Sequence, residues 1–181
     1  SSITPTQSKI IYDKLKKINV GYIDSPVSGG EEGAISGNLA IMCGGDSKDF
    51  EKASELFDII GKSKTLVGGS GSGSAAKLVN QVIVNMNIAT ISEAFVMAKK
   101  LGVDPQKVYE AIRDGLAGSR VLDDKMHRII ERDFEPGGSI TINFKDINNV
   151  VDSASDVNCP VPFTSQLQQI MRSLISNGKE S

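Results

Sequence analysis

Histidine and cysteine are scarce in this sequence, with one His and two Cys among 181 residues. So few leave almost nothing for a Cys/His zinc site, and no metal is expected. A lone His127 also fits a Ser-His-Asp or Cys-His hydrolase poorly. Cys43 and Cys159 lie far apart and do not make a disulfide framework, so a reducing, cytoplasmic setting is the simpler expectation. Neither sign of charge dominates: 20 Lys and Arg stand against 22 Asp and Glu, a net charge of −2. With no long Lys/Arg run, nucleic acid is not an expected partner. The uncharged run from Leu78 to Ser92 falls short of the roughly 20 apolar residues a bilayer span needs. It also carries Asn80, Gln81, Asn85 and Asn87, which are costly in lipid, so a buried helix is expected and no membrane. No signal peptide is expected from the opening residues, which lack an initiator methionine. The opening Ser1-Ser2-Ile3-Thr4-Pro5 reads as the middle of a domain, and the expectation is a fragment.

What is present divides into two textures. Up to about Val67, helices and strands alternate. Thr4-Pro5-Thr6-Gln7 reads as a capping box with proline at the first helical position. Ile10, Ile11, Tyr12, Leu15 and Ile18 then give an apolar helix face. Gly21–Asp24, Leu39–Cys43 (stopped by Gly44-Gly45) and Lys64–Val67 are strand candidates. Asp46 or Ser47 caps a helix with Phe50, Ala53, Leu56, Phe57 and Ile60 on one face. The run Gly68-Gly69-Ser70-Gly71-Ser72-Gly73-Ser74 has the composition of a flexible linker. Beyond it the chain reads as helical. A long helix runs from near Ser74 to Leu101 and ends at Gly102. Asp104-Pro105 starts another that Gly115 ends. More follow near 121–132, 145–157 and 163–176, with breaks at Pro136-Gly137-Gly138 and Pro160-Val161-Pro162. The methionines read as scattered core filler.

Three stretches could carry chemistry. Pro26-Val27-Ser28-Gly29-Gly30 follows a strand candidate, and glycine tolerates the dihedrals that let successive N–H groups converge on an anion such as a carboxylate. A tight turn is the plainer reading of the same residues. Gly71-x-Gly73 opens a helix, but alanine stands at the third glycine position and no βαβ unit follows, so it is not a dinucleotide fingerprint. Its glycines fit a close backbone approach at the helix start. Lys77 opposes the macrodipole there and shares a face with Asn80, Gln81 and Val84. A buried lysine of lowered pKa is a usable acid or base near neutrality; a snorkelling lysine beside structural amides reads equally well. Lys145-Asp146 reads as a solvated helix start, and His127 as a surface residue.

In order, these pieces resemble the β-hydroxyacid dehydrogenase family, related to the 3-hydroxyisobutyrate dehydrogenases. The matching stretches are Ser1–Pro5, Asp24-Ser25-Pro26-Val27-Ser28-Gly29-Gly30, Gly37-Asn38-Leu39-Ala40-Ile41-Met42, Gly71–Gln81 and Lys145-Asp146. Within the family, Asn80–Val84, Ser92-Glu93-Ala94 and Ala111–Ser119 with Val121-Leu122-Asp123 are similar to the subgroup that reduces tartronate semialdehyde. The resemblance implies the α/β tail of a Rossmann-type dinucleotide-binding domain (residues 1–67) and an all-α substrate and oligomerisation domain (68–181), 6-phosphogluconate dehydrogenase C-terminal-like and short of its last helix. It implies Lys77 as catalytic acid/base, Ser28, Gly29, Gly30 and Asn80 as substrate-binding, with Asn80 orienting Lys77, and Ser2 and Lys145 as cofactor-binding. The implied cofactor is NAD or NADP, the substrate a small carboxylic acid, and the assembly a homo-dimer or homo-tetramer.

The expected reaction is NAD(P)-dependent reduction of a short 3-oxo acid, tartronate semialdehyde to glycerate first. A 3-hydroxyisobutyrate or 4-hydroxybutyrate dehydrogenase is the alternative within the class. A non-catalytic helical binding module is the alternative outside it, disfavoured by the polar Lys77/Asn80 pair on an apolar face. Without the fingerprint, the chain alone is expected to be inactive.

Overall fold

The computed structural model describes residues 2–133, 135 and 137–180. Ser1 and Pro136, which carry parts of the expectations above, lie outside these. Helix α1 (Pro5–Lys16) starts as expected: Thr4 and Gln7 close the capping box and proline occupies the first turn. Its apolar residues do not form a buried face, because α1 packs through Ser8, and Ile10, Ile11 and Ile18 stay exposed.

The sheet centres on β3 (Leu39–Gly45). Strands β1 (Ile23–Asp24) and β2 (Val27–Ser28) lie along the same edge of it, antiparallel, with Ile23 opposite Gly45, Asp24 opposite Gly44, Val27 opposite Ile41 and Ser28 opposite Ala40. Each pair of positions adds to the same number, so β1 and β2 are one strand interrupted at Ser25-Pro26. The Pro26 carbonyl keeps the ladder by accepting from Met42 N–H at 2.9 Å. Proline has no N–H to give, and here its carbonyl alone is needed. Strand β4 (Gly61–Gly68) runs parallel on the other edge. Helix α2 (Gly30–Ile35) links β2 to β3, and α3 (Ser47–Ile60) crosses from β3 to β4. Phe57 of α3 joins Leu39, Ile41 and Cys43 in the core, while Leu56 of the expected apolar face is exposed. Gly44-Gly45 do not stop β3; they continue it.

The glycine-serine run is not a flexible linker. Gly68 ends β4, Gly71 takes a left-handed φ of 89° as N-cap, and α4 (Ser72–Lys100) begins at once. A Cβ on Gly73 would strike the carbonyls of Asp24 and Met42, and one on Gly44 would lie 2.5 Å from Gly73 N. The glycines let β3 and the helix start touch backbone to backbone.

Helix α4 is 29 residues long with an 18-residue window of mean hydropathy 1.3, long and apolar enough to cross a membrane, although the uncharged run Leu78–Ser92 within it is not. It packs against β3, α6 (Arg120–Glu131), α7 (Ile140–Asp156) and α8 (Pro162–Ser176) and leaves Val79, Ile83 and Val96 exposed, so it is buried only in part, against the expectation of a buried helix. Asp104 caps α5 (Pro105–Ile112), with proline in the first turn as expected. Ile91 and Phe95 of α4 meet Tyr109, Leu122 and Met126 in a second core. Helix α7 starts five residues earlier than the sequence suggests, capped by Ser139 onto Ile142 N–H. His127 is exposed and packs edge-on against the Tyr109 ring, 5.8 Å away. Met126 and Met171 are core residues, but Met97 is exposed.

Candidate active site

The site grows from the point where the interrupted strand meets the start of α4. Asp24, buried in β1, accepts from Gly71 N–H at 2.8 Å and Ser74 N–H at 2.6 Å. A helix start carries N–H groups with no intrahelical partner and a partial positive charge, and a carboxylate answers both. Three residues along the strand, the Val27 carbonyl accepts from Lys77 Nζ at 2.7 Å. The strand advances about 10 Å over three residues and the helix about 4.5 Å. The extended lysine side chain makes up the difference. One strand thus holds both the helix start and the ammonium group.

Lys77 has a lowered pKa. Burial is the main cause; Asp146 opposes it and Lys145 adds to it. The Val27 carbonyl takes one of three ammonium protons, and two remain for another acceptor. Ser28 ends β2, and Gly29 and Gly30 turn the chain into α2 with φ of 137° and 63°. Both angles favour glycine. Gly33 N–H makes the first bond back to the Gly29 carbonyl at 2.9 Å, so the N–H groups of Gly30, Glu31 and Glu32 precede the helical ladder. The Lys77 ammonium stands next in sequence contact to Ser28, bound to the residue before it. Glu31 and Glu32 bring negative charge to this helix start.

Asn80 and Lys77 lie one turn apart on α4, yet among the described residues no hydrogen bond joins them. The Asn80 amide donates to Gln81 Oε1 at 2.9 Å, and Gln81 Nε2 donates to Asp146 Oδ2 at 2.6 Å. Lys145 is solvated as expected, but Asp146 is not, and the pair does not start a helix. They lie in the second turn of α7, and Asp146 is 3% exposed. The other Asp146 oxygen is 2.9 Å from Lys145 Nζ, an ion pair outside hydrogen-bond alignment. Lys145 Nζ also donates to the Ser2 carbonyl at 3.2 Å, beside Asn149 Nδ2 at 3.5 Å. Ser2 and Lys145 are therefore brought together across the whole chain. Their rim of ammonium, amide and carbonyl groups has the donors and acceptors that a dinucleotide's amide, hydroxyl and phosphate groups require.

Two residues of this arrangement were given no role by the sequence reading. Asp24 looked like a strand end, and Gln81 like a neighbour of Asn80. The only hint was their polarity within apolar surroundings. A cleft of about 460 Å³ lies elsewhere, between α4, α6, α7 and α8, lined by Asn85, Arg128, Ile140 and Met171 among others. It includes neither Lys77 nor Ser28, so the chemistry is assigned from side chains and not from cavity size.

A family described as the NAD-binding of NADP-dependent 3-hydroxyisobutyrate dehydrogenase matches residues 71–181. Another, described as the NAD binding domain of 6-phosphogluconate dehydrogenase, matches residues 1–69. A 2-hydroxy-3-oxopropionate reductase of Escherichia coli is 42% identical over 98% of this chain and 61% of its own length. A 3-hydroxyisobutyrate dehydrogenase of Salmonella typhimurium superposes with a TM-score of 0.91 at 24% identity, over 99% of this chain and 64% of its own. One from Mycobacterium tuberculosis, solved with L-serine, gives 0.90 at 25% identity, over 99% and 64%. The chain spans about three fifths of the length of these relatives.

Proposed function

Since this chain belongs to the β-hydroxyacid dehydrogenase family, the group of the 3-hydroxyisobutyrate dehydrogenases, we propose that the whole protein is an NAD(P)-dependent reductase of short 3-oxo acids, with Lys77 as its general acid and base. The observation that carries this reading is the Lys77 ammonium, buried enough to lower its pKa and tethered to Val27 beside the Ser28-Gly29-Gly30 turn. The turn receives the substrate carboxylate, and the Ser28 hydroxyl adds a donor. The substrate carbonyl oxygen lies against one of the two remaining ammonium protons. As the carbonyl is reduced, negative charge grows on that oxygen and Lys77 Nζ transfers a proton to it. Burial favours the neutral amine that results. In the oxidative direction the neutral amine takes the proton back. Asn80 binds the substrate hydroxyl side of the molecule. Ser2 and Lys145 hold the nicotinamide dinucleotide, which when bound supplies or accepts the hydride.

Tartronate semialdehyde, giving glycerate, is the proposed substrate. The E. coli relative bears the corresponding name, and L-serine in the M. tuberculosis structure is itself a small acid with a β-hydroxyl. We further propose a division near residue 67 into a dinucleotide-binding part and a helical part, with the helical part building a dimer or tetramer. The test is oxidation of NADH and NADPH by the whole protein with tartronate semialdehyde, compared with the semialdehydes that correspond to 3-hydroxyisobutyrate (a 3-oxo acid) and 4-hydroxybutyrate (a 4-oxo acid). A kcat/KM highest for tartronate semialdehyde is expected. Preference for another of these semialdehydes reassigns the substrate, and no turnover with any of them removes the reading.

A further inference from the structure

Asp146 is a carboxylate 3% exposed at the junction of α4 and α7. Burying a charge there is costly, and an apolar pair would join two helices more cheaply. Its position does something an apolar residue could not. An ionised carboxylate only accepts hydrogen bonds, so the Gln81 side chain must turn its NH₂ toward Asp146. The Gln81 carbonyl is then forced to the opposite end, where it accepts from the Asn80 amide. Asn80 in turn must spend its NH₂ on Gln81, which leaves its Oδ1 as the end free for a donor. A carboxamide has no intrinsic preference between its two ends, and only the network assigns them.

Resting on the reading of Lys77 and Asn80 given above, we propose that Asp146 is a positioning residue that fixes the polarity of the Asn80 amide through Gln81, so that Asn80 presents its carbonyl to the substrate hydroxyl and the Lys77 ammonium. The hydroxyl formed on reduction is a donor, and so is the ammonium that drives it. Both need an acceptor. A flipped Asn80 would offer them two N–H groups. The second Asp146 oxygen pairs with Lys145, so one carboxylate orders the substrate side and the cofactor side together.

The relay makes an unusual prediction about a swap. In Asp146→Asn the amide at 146 can give or accept, and the Gln81 and Asn80 amides lose their fixed sense. In the double variant Gln81→Glu/Asp146→Asn, the new carboxylate at 81 accepts from both 146 and Asn80, and the Asn80 polarity returns. In the whole protein, Asp146→Asn is expected to lower kcat roughly a hundredfold, the size of loss that a misplaced group near the chemistry causes, with a small change in KM. The double variant is expected to recover most of it. Side-chain amide resonances of Asn80, observed by NMR without substrate, should move in Asp146→Asn and return in the double variant. A wild-type kcat in Asp146→Asn, a double variant no better than the single one, or unmoved Asn80 resonances each overturn the proposal. If Asp146→Asn does not fold, Gln81→Met breaks the same relay and keeps the charge; wild-type kcat in that variant overturns it too. Absence of turnover in the unmodified protein fails the functional reading alone, since the resonances still decide the relay.

Discussion

Between Ser72 and Asn85, helix α4 buries Ser74, Gln81 and Asn85 alongside Leu78; between Ile91 and Ala98 it buries Ile91, Phe95 and Ala98. The first stretch faces the interrupted strand and α7, and its polar groups bond to Asp24, Asp146 and each other. The second packs on Tyr109, Leu122 and Met126. One helix therefore has a half that spends burial on orientation and a half that spends it on stability. Buried polar groups specify geometry but add little net free energy, whereas buried apolar area is the main stabilising term.

The sharpest way to break this contrast is substitution in each half. Lys77→Ala is expected to lower kcat of the whole protein by about 10²- to 10⁴-fold, the usual worth of a general acid, while the melting temperature stays close to wild type. A large loss of stability instead would make Lys77 a structural residue. The pH profile sharpens the same point. Reduction needs the charged ammonium, so its rate falls as pH rises through a Lys77 pKa below the ordinary lysine value, and oxidation rises over that range. Phe95→Ala has the opposite signature: a loss of about 3–5 kcal/mol in denaturant unfolding, with kcat of the folded protein unchanged. Asp24→Ala falls between them. It removes two bonds to the start of α4 and leaves their N–H groups buried, so about 1–3 kcal/mol of stability and part of kcat should go together; a fall in one without the other would separate the cap from the site. The smallest effect is chemical. Burial pushes the Cys43 thiol up to about 11, with Asp24 adding to it, and Cys159 is exposed. Iodoacetamide should label Cys159 in the native protein and reach Cys43 only on unfolding.

Local features were legible in the sequence. The capping box at Thr4–Gln7, the Asp104-Pro105 helix start and the Gly102 helix end depend on residues a few positions apart, and all three stand where their spacing places them. Lys77 was legible as a candidate because it opposes the helix macrodipole, and Ser28 because glycines follow it after a strand; Lys145 became a candidate only through the family resemblance. What joins them was not. Asp24 reaches Gly71 and Ser74 across 47 and 50 residues, and Gln81 reaches Asp146 across 65. No periodicity encodes such pairs. The run from Gly68 to Ser74 was legible by half: glycine chosen for freedom and glycine chosen for closeness have the same composition, so the linker reading stood beside that of a close backbone approach. The contacts of Gly73 with Gly44, Asp24 and Met42 decide for closeness.

The interrupted strand also governs how this sequence can vary. Asp24 and Val27 grip α4 from one strand whose register against β3 is unbroken from Ile23 to Ser28. Adding or deleting a residue between them would turn alternate side chains to the opposite face and carry either the cap or the Lys77 tether out of reach. Substitutions along 23–28 that keep its length therefore leave both grips in register, whereas a one-residue insertion or deletion there is expected to unseat the start of α4.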